Sequence, residues 1–172
     1  MNLTFKIMQE DDIKAVEKII NKAYRGEISG NAWTSEGDIL AGIRVNEDML
    51  KEILKDKSIL TYLALLDDKI VATIQTKLEN NDIHIGLFAV DPNFQAYGVG
   101  KKLLEYAENS ASQFWNKNNF VMEVISNRLE LKEYYIRRGY KDTKELIDFP
   151  KSSHWSPLVD EDLKLLILRK TV

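Results

Sequence analysis

Gln95, Gly98 and Gly100 stand at a spacing that suits the binding of an anion such as a pyrophosphate. At the start of a helix, several backbone N–H groups lack intrahelical partners, and the helix dipole adds partial positive charge. Glycines in such a turn let an anion approach the backbone, because no Cβ stands in the way. Gln95 can donate one more hydrogen bond, and Lys101 or Lys102 can add charge at the rim. The sequence therefore predicts a pyrophosphate-binding turn here.

Two common phosphate-binding patterns fail at this turn. A P-loop requires glycine where Gln95 stands and serine or threonine where Lys102 stands, and a dinucleotide-binding turn requires a third glycine where Leu103 stands. The pattern that fits is Gln or Arg, two residues, Gly, one residue, and Gly or Ala, which Gln95, Gly98 and Gly100 satisfy. This pattern resembles the acetyl-CoA signature of the GNAT superfamily of N-acetyltransferases.

A second motif lies downstream of the turn. Asn127 follows a predicted strand, and the next helix ends in the pattern Tyr, three residues, Gly and an aromatic, at Tyr135, Gly139 and Tyr140. This resembles the closing motif of the same superfamily. Because a helix and a strand of suitable length separate the two motifs, their order argues against coincidence. The resemblance covers Leu3 to Arg169 in element order, but it extends to motifs only from Phe88 to Tyr140.

The resemblance implies an acetyl-CoA site whose parts fall on particular residues. In this superfamily the cofactor lies in a V-shaped gap between the fourth and fifth strands. Backbone groups of Phe88, Ala89 and Val90 would pair with the pantetheine arm, and an N–H there would stabilise the thioester oxygen during amine attack. Asn127 would hydrogen-bond the cofactor arm. The residues that would hold the pyrophosphate are Gln95, Ala96, Tyr97, Gly98, Val99, Gly100 and Lys101.

The resemblance also implies a tyrosine that protonates the leaving CoA thiolate. A tyrosine with a pKa of about 10 is mostly protonated at neutral pH, which suits a proton donor. Tyr135 fits the spacing back from Gly139, whereas Tyr134 fits the spacing on from Asn127. We favour Tyr135 and keep Tyr134 as its rival, because neighbours on a helix point about 100° apart and cannot share the role. The alternative is that Tyr135 is a core aromatic with a satisfied hydroxyl.

The amine must lose a proton before it attacks, and the sequence offers two candidate bases. His84 and Glu123 stand on the strands that flank the proposed gap. In a regular strand, His84 shares its face with Gly86, Phe88 and Val90, which predicts that it points to the side of the cofactor contacts. Glu123 is an unexpected charge in an apolar strand. For His84 the alternative is a structural role, and for Glu123 it is exposure to solvent.

The half of the chain that would shape the acceptor site carries weaker signals. Trp33 and Glu36 lie in a glycine-rich and polar passage, Arg25 to Gly42, and are candidate substrate-binding residues with Arg44 nearby. The alternative for Trp33 is that it anchors a loop to the core. His154 lies on a later loop that either covers the acceptor or has no functional role.

Composition limits the class of protein. The chain has 172 residues and no cysteine, so we expect one domain, residues 1–172, without disulfides or a thiolate nucleophile. His84 and His154 are the two histidines and lie far apart, so no metal is expected. A net charge of −3 gives no reason to expect nucleic acid as a partner. No apolar stretch has the length of a signal peptide or a membrane span, so no membrane partner is expected and a cytoplasmic location is favoured.

The predicted elements form an α/β fold of the α+β type, with a mixed, mostly antiparallel sheet of about six to seven strands and about four flanking helices. Asp67-Asp68 and the turn Glu79 to Asp82 join three strands into an antiparallel meander, and the strand after the long helix should lie parallel to its predecessor. The predicted strands are Leu3–Ile7, Ile59–Leu66, Lys69–Leu78, Ile83–Val90, Phe120–Ile125, Tyr140–Phe149 and Leu163–Arg169. The predicted helices are Ile13–Ala23, Asn46 or Glu47 to about Asp56, Val99–Asn116 and Leu129–Arg138.

The long helix that begins at Val99 is expected to be amphipathic. Its predicted buried face consists of Val99, Leu103, Ala107, Ser110 and Phe114. Glu105 and Glu108 are expected to face solvent.

The two motifs together predict an N-acetyltransferase that moves an acetyl group from acetyl-CoA to a primary amine by direct transfer in a ternary complex. The acceptor is expected to be a small-molecule amine or a protein N-terminus, and the weakly acidic chain favours a cationic amine. A homodimer is compatible with the resemblance, because dimers are common in families of this kind. The rival interpretation is a non-catalytic domain that binds or senses acyl-CoA.

Overall fold

The structure is a computed structural model that describes residues 2–25, 40–42, 44–149, 155–157 and 164–172. Within these residues, no helix is long and apolar enough to cross a membrane. The strands are β1 (Leu3–Ile7), β2 (Leu40–Gly42), β3 (Ile59–Leu66), β4 (Lys69–Glu79), β5 (Asp82–Val90), β6 (Asn119–Ile125), β7 (Lys141–Asp148), β8 (Trp155–Pro157) and β9 (Lys164–Thr171). The helices are α1 (Ile13–Arg25), α2 (Glu47–Lys55), α3 (Val99–Trp115) and α4 (Leu129–Arg137), with short 3-10 helices at Glu10–Asp12 and Pro92–Tyr97.

Seven of the strands form one mixed sheet in the order β1-β3-β4-β5-β6-β9-β7. β5 and β6 are parallel, and the other neighbouring pairs in this sheet are antiparallel. The predicted fold class, the meander and the parallel pair after the long helix are therefore confirmed. β2 and β8 form a separate two-stranded antiparallel sheet that the sequence did not predict.

The two hairpin turns of the meander have the predicted chemistry. Asp67 and Asp68 have φ angles of 48° and 69°, and Asn80 and Asn81 have φ angles of 52° and 68°. Aspartate and asparagine are the non-glycine residues that tolerate this left-handed conformation best. Two consecutive left-handed residues give a turn whose twist matches that of the flanking strands.

Hydrophobic side chains pack on both faces of the sheet, in two separate clusters. On one face, Leu103 and Leu104 of α3 pack with residues of the central strands, including Phe120 of β6. On the other face, Val16 and Ile20 of α1 pack with Leu50 of α2 and with residues of β3 and β5. We call these faces the α3 face and the α1 face.

Two expectations for α3 are wrong. Phe114 is 66% exposed, whereas Glu108 is 3% exposed. The buried face turns toward Leu104, Glu108 and Ala111 instead, because Glu108 finds two partners in the interior that a helical periodicity cannot show. Tyr140 and Lys170 both bond to its carboxylate.

A β-bulge interrupts β5 at Leu87, between the paired residues Gly86 and Ala89. Gln75 of β4 pairs with Gly86 and Thr73 pairs with Ala89, so β5 has one more residue than β4 between these two pairs. Leu87 has a φ of 44°, a conformation that a bulky residue rarely adopts. An extra residue of this kind bends the strand and increases its local twist.

The bulge changes which face each side chain of β5 reaches. Ile85 and Phe88 both pack on the α3 face, although they are three positions apart in sequence and would lie on opposite faces of a regular strand. Leu87 and Ala89 pack on the α1 face. The alternation of a regular strand therefore holds on either side of the bulge but is reversed across it.

Candidate active site

A gap opens between β5 and β6. Ile83–Ile85 pair in parallel with Phe120–Met122, but both strands continue, β5 to Val90 and β6 to Ile125. A cavity of about 220 Å³ lies between these diverging ends and is lined by residues of both strands. We call it the gap cavity. It corresponds to the V-shaped gap that the resemblance implies.

A second cavity, of about 140 Å³, lies where α3 begins, and we call it the cradle. Most of its lining comes from residues predicted to contact the cofactor. The lining residues are Phe88, Val90, Gln95, Gly98, Gly100, Lys101, Tyr134, Tyr135 and Arg138.

Gly98 opens the cradle to a ligand. Its φ of 72° is left-handed, which favours glycine, and no atom lies within 4 Å of the position that a Cβ would take. Gly98 is also the N-cap of α3, and its carbonyl oxygen accepts a hydrogen bond of 3.3 Å from the Lys102 N–H. The first N–H groups of the helix therefore adjoin an open surface, which is the geometry that anions use at helix starts.

Gly100 allows three elements to meet at the cradle. A Cβ at this position would lie 3.3 Å from Val90 Cγ2, 3.4 Å from Tyr134 Oη and 3.6 Å from Phe88 Cζ. The missing side chain lets α3 approach β5 closely. It also brings the Tyr134 hydroxyl of α4 next to the first turn of α3.

Arg138 is a residue of the cradle that the sequence analysis missed. Its guanidinium carbon lies 4.4 Å from the centroid of the Tyr134 ring, a cation–π geometry. Its Nε is buried, and no hydrogen-bond partner for it is found in the described part of the chain. A buried donor without a partner is costly, so this atom is suited to an anion in the cradle. The sequence feature that could have identified Arg138 is its position directly before Gly139, within the closing motif.

The residues of the cradle therefore fit a pyrophosphate. The open backbone at Gly98, the charge of Lys101 and the buried Nε of Arg138 all line the same cavity. Gln95 lines it as well, and its Nε2 lies 3.4 Å from the Val90 carbonyl oxygen.

Tyr135 lies where the two cavities meet, because it lines both of them together with Phe88. Its side chain is buried, and burial raises the pKa of its hydroxyl well above the usual value, with smaller contributions from Tyr24 and Tyr134. Burial also raises the pKa of Tyr134, although the neighbouring Arg138 opposes that change. Both hydroxyls therefore stay protonated at neutral pH, but Tyr135 alone of the two also reaches the gap cavity.

The gap cavity is lined by charged side chains as well as apolar ones. Glu123 projects from β6 on the α1 face, where it is exposed to solvent, as the alternative interpretation expected, and also lines this cavity. Arg44 and Arg128 line the cavity as well. Arg128 is 8% exposed, and its Nε donates a hydrogen bond of 3.0 Å to Glu130 Oε1. The sequence analysis named Arg44 only as a neighbour of the candidate acceptor residues and did not identify Arg128, because the fold brings the two arginines together from segments far apart in the chain.

The predicted orientation of His84 is wrong. His84 precedes the bulge, so it points to the α1 face, whereas Phe88 and Val90 follow the bulge and point to the α3 face. Its Nε2 lies 3.9 Å from Glu79 Oε2, near the start of β5. His84 is not among the described residues that line the cradle or the gap cavity.

Several predicted site residues lie outside the two cavities as the described residues define them. The side chains of Ala96 and Tyr97 are exposed on the 3-10 helix before α3, and those of Val99 and Ala89 are buried in the two cores. Asn127 is exposed in the turn between β6 and α4. Trp33, Glu36 and His154 lie outside the described residues.

The chain belongs to the GNAT acetyltransferases, because the sequence model of the acetyltransferase (GNAT) domain family matches residues 8–154. An uncharacterized N-acetyltransferase of Methanocaldococcus jannaschii is 29% identical over 109 residues, which span 63% of this chain and 65% of that relative. The aligned part is thus slightly less than two thirds of the relative's length.

Solved structures of the same fold include two named N-acetyltransferases. The ribosomal-protein-S18-alanine N-acetyltransferase of Escherichia coli has a TM-score of 0.72 at 16% identity, over 99% of this chain and 94% of that one. The PaiA N-acetyltransferase of Thermoplasma acidophilum, solved with coenzyme A, has a TM-score of 0.70 at 14% identity, over 100% of both chains. Because the sequence identities are only 16% and 14%, the similarity to these two structures shows the fold alone.

Proposed function

We propose that this protein moves an acetyl group from acetyl-CoA to a primary amine by direct transfer. The observation that carries the proposal is that the cradle and the gap cavity meet at Tyr135 and Phe88. A cofactor held in the cradle would reach the gap from one side, and an amine would reach it from the other. The resemblance of the turn at Gln95 to the acetyl-CoA signature and the coenzyme A bound to the Thermoplasma relative support the same ligand.

The chain's own groups supply the contacts that acetyl-CoA requires. The helix start at Gly98, with Lys101 and Arg138, would hold the pyrophosphate. The edge of β5 from Phe88 to Val90, which faces away from β4, would pair with the pantetheine arm. When bound, acetyl-CoA supplies a thioester whose carbonyl carbon is open to attack by an amine. An N–H of the β5 edge would stabilise negative charge on the carbonyl oxygen.

Glu123 is the base that we favour over His84, because it lines the gap cavity. Glu123 would accept a proton from the ammonium group of the acceptor, directly or through water. The amine nitrogen then forms the C–N bond, and the C–S bond breaks with its electron pair on sulfur. Tyr135 would donate its hydroxyl proton to that thiolate and recover a proton from the nitrogen or from water, so that the products are the amide and CoA.

Calorimetry and CoA release test the proposal together. Acetyl-CoA should bind with micromolar affinity, and Gly98→Trp should abolish binding by filling the open surface of the cradle. Released CoA can be followed with a thiol reagent without background from the protein, because the chain contains no cysteine. Binding without release of CoA for any amine would favour an acyl-CoA sensor. Failure of the wild-type protein to bind would contradict both functions.

A further inference from the structure

Two guanidinium groups line the gap cavity, although the chain as a whole has a net charge of −3. In the described part of the chain, its charged lining residues are Arg44, Arg128 and Glu123. Under the proposed function, the acceptor amine occupies this cavity. The charged residues that line the gap cavity therefore influence the choice of amine more directly than the net charge of the protein does.

Arg128 is held rigidly at one wall of the cavity. Its backbone N–H donates a hydrogen bond of 2.9 Å to the Ile125 carbonyl at the end of β6, and its Nε donates one of 3.0 Å to Glu130. Burial and these bonds fix the direction of the guanidinium. A guanidinium carries five N–H donors in a planar fork, so one arginine can bind a protein carboxylate and a ligand anion together.

Arg44 contributes a second guanidinium from a different segment. Its backbone N–H donates a hydrogen bond of 2.7 Å to Asn21 Oδ1 of α1, and its guanidinium carbon lies 5.3 Å from the centroid of the Tyr24 ring. The α1 helix therefore anchors the backbone of Arg44 and supports its side chain. Two arginines that approach one small cavity would repel a polycationic amine.

We propose that the acceptor is a primary amine that carries its own carboxylate, as a free amino acid does. This inference rests on the proposed function. Arg44 and Arg128 bind the carboxylate, in the geometry in which guanidinium groups recognise planar anions. Glu123 faces the ammonium group and takes its proton. The same arrangement disfavours polyamines, which lack an anion, and protein N-termini, in which an amide replaces the carboxylate.

The test compares three forms of each acceptor: the free amino acid, its carboxamide and its decarboxylated amine. Leucine, phenylalanine and lysine provide three such sets. The measurement is kcat/KM for CoA release at saturating acetyl-CoA. We expect each accepted amino acid to exceed its carboxamide by about tenfold or more, since charge-assisted hydrogen bonds are the stronger ones. Arg44→Gln should remove most of that preference through a higher KM for the amino acid.

Two further variants make the result decisive. Arg128→Lys keeps the charge but loses the fork, and it should reduce the preference in a protein whose thermal unfolding is checked in parallel. Arg169→Gln removes an arginine that pairs at 3.2 Å with Asp82, and it should leave the preference intact. Carboxamides or simple amines that match the amino acids in the wild type would overturn this inference alone, as would a preference that survives Arg44→Gln. Failure of all amines, with acetyl-CoA bound, would overturn the proposed function as well.

Discussion

The hydroxyl of Tyr140 donates a hydrogen bond of 2.7 Å to Glu108 Oε2 in the interior of the protein. Tyr140 belongs to the closing motif, and Glu108 lies on the helix that begins at the cradle. Lys170 of β9 donates a hydrogen bond of 3.0 Å to the other carboxylate oxygen. A buried polar cluster therefore links the two segments that carry the sequence motifs, and it anchors α3 to β9.

Glu108→Ala should destabilise the protein by about 3–5 kcal/mol, because it leaves the Lys170 ammonium and the Tyr140 hydroxyl without their buried partner. Glu105→Ala is the matched control, since Glu105 is exposed one turn earlier on α3 and should change stability by less than about 0.5 kcal/mol. Urea unfolding measures both. Equal losses for the two variants would show that the cluster has no net effect.

Alkaline pH should unfold the protein because several tyrosines are buried. Burial raises the pKa of Tyr62 to about 12, so the unfolded state loses this proton first, at pH 10, and the folded state keeps it until about pH 12. Tyr62 therefore contributes full stability below pH 10, and that contribution falls as pH rises from 10 to 12. Tyr62→Phe should make the loss of unfolding free energy in this window shallower, by up to about 1.4 kcal/mol per pH unit. Urea unfolding at pH 9, 10 and 11 would contradict this if both proteins had the same slope.

Gly100→Ala should destabilise the protein by about 1–3 kcal/mol and weaken acetyl-CoA binding. The added Cβ would lie within 3.4 Å of both Val90 and Tyr134, so α3 or α4 must shift at the cradle. Gly86→Ala is a matched substitution without any atom within 4 Å of its Cβ, and its stability should change little. Thermal unfolding compares the stability of the two variants, and calorimetry compares their affinity for acetyl-CoA. If Gly100→Ala changed neither quantity, the close approach of α3 to β5 and Tyr134 would not be needed.

Tyr135→Phe should lower kcat by a factor of about 10² to 10⁴, the range typical of lost proton transfer. Tyr134→Phe should instead raise the KM for acetyl-CoA by about fivefold, because its hydroxyl lies beside Gly100 in the cradle. Burial raises the pKa of Tyr135, so kcat should not fall up to pH 10 through ionisation of this hydroxyl. Steady-state kinetics with both substrates measure these effects. If Tyr134 were the acid, Tyr134→Phe would show the loss of kcat and Tyr135→Phe would not.

Glu123→Gln should lower kcat by at least about 10² with the fold retained, since it removes the only carboxylate among the described residues that line the gap cavity. His84→Gln should keep kcat within about a factor of two, because His84 lies near Glu79 and is not among the described residues that line the gap cavity. Single-turnover rates at saturating acetyl-CoA would report either effect. A large loss in His84→Gln alone would assign the base to the histidine.

Local chemistry was sufficient to predict much of the fold. The hairpin residues Asp67 and Asp68 favour left-handed turns by themselves, and the glycines at 98 and 139 adopt the positive φ angles expected at helix ends. The order of helix and strand between them then required a parallel pair in the sheet.

Features that depend on distant partners could not be predicted. The burial of Glu108 depends on Tyr140 and Lys170, which are far away in sequence. The arginines of the gap cavity come from separate segments, so no spacing reveals them. The orientation of His84 was predicted from a regular alternation, and a single extra residue in β5 reversed it.

The bulge at Leu87 gives the side chains of β5 before it and after it different surroundings. Downstream of the bulge, Phe88 and Val90 face the cofactor side, while His84 upstream projects to the opposite side of the sheet. Gly86, which is also upstream of the bulge, lines the gap cavity but not the cradle. Directed evolution of acceptor choice can therefore begin at the upstream part of β5 and leave the side chains that line the cradle unchanged.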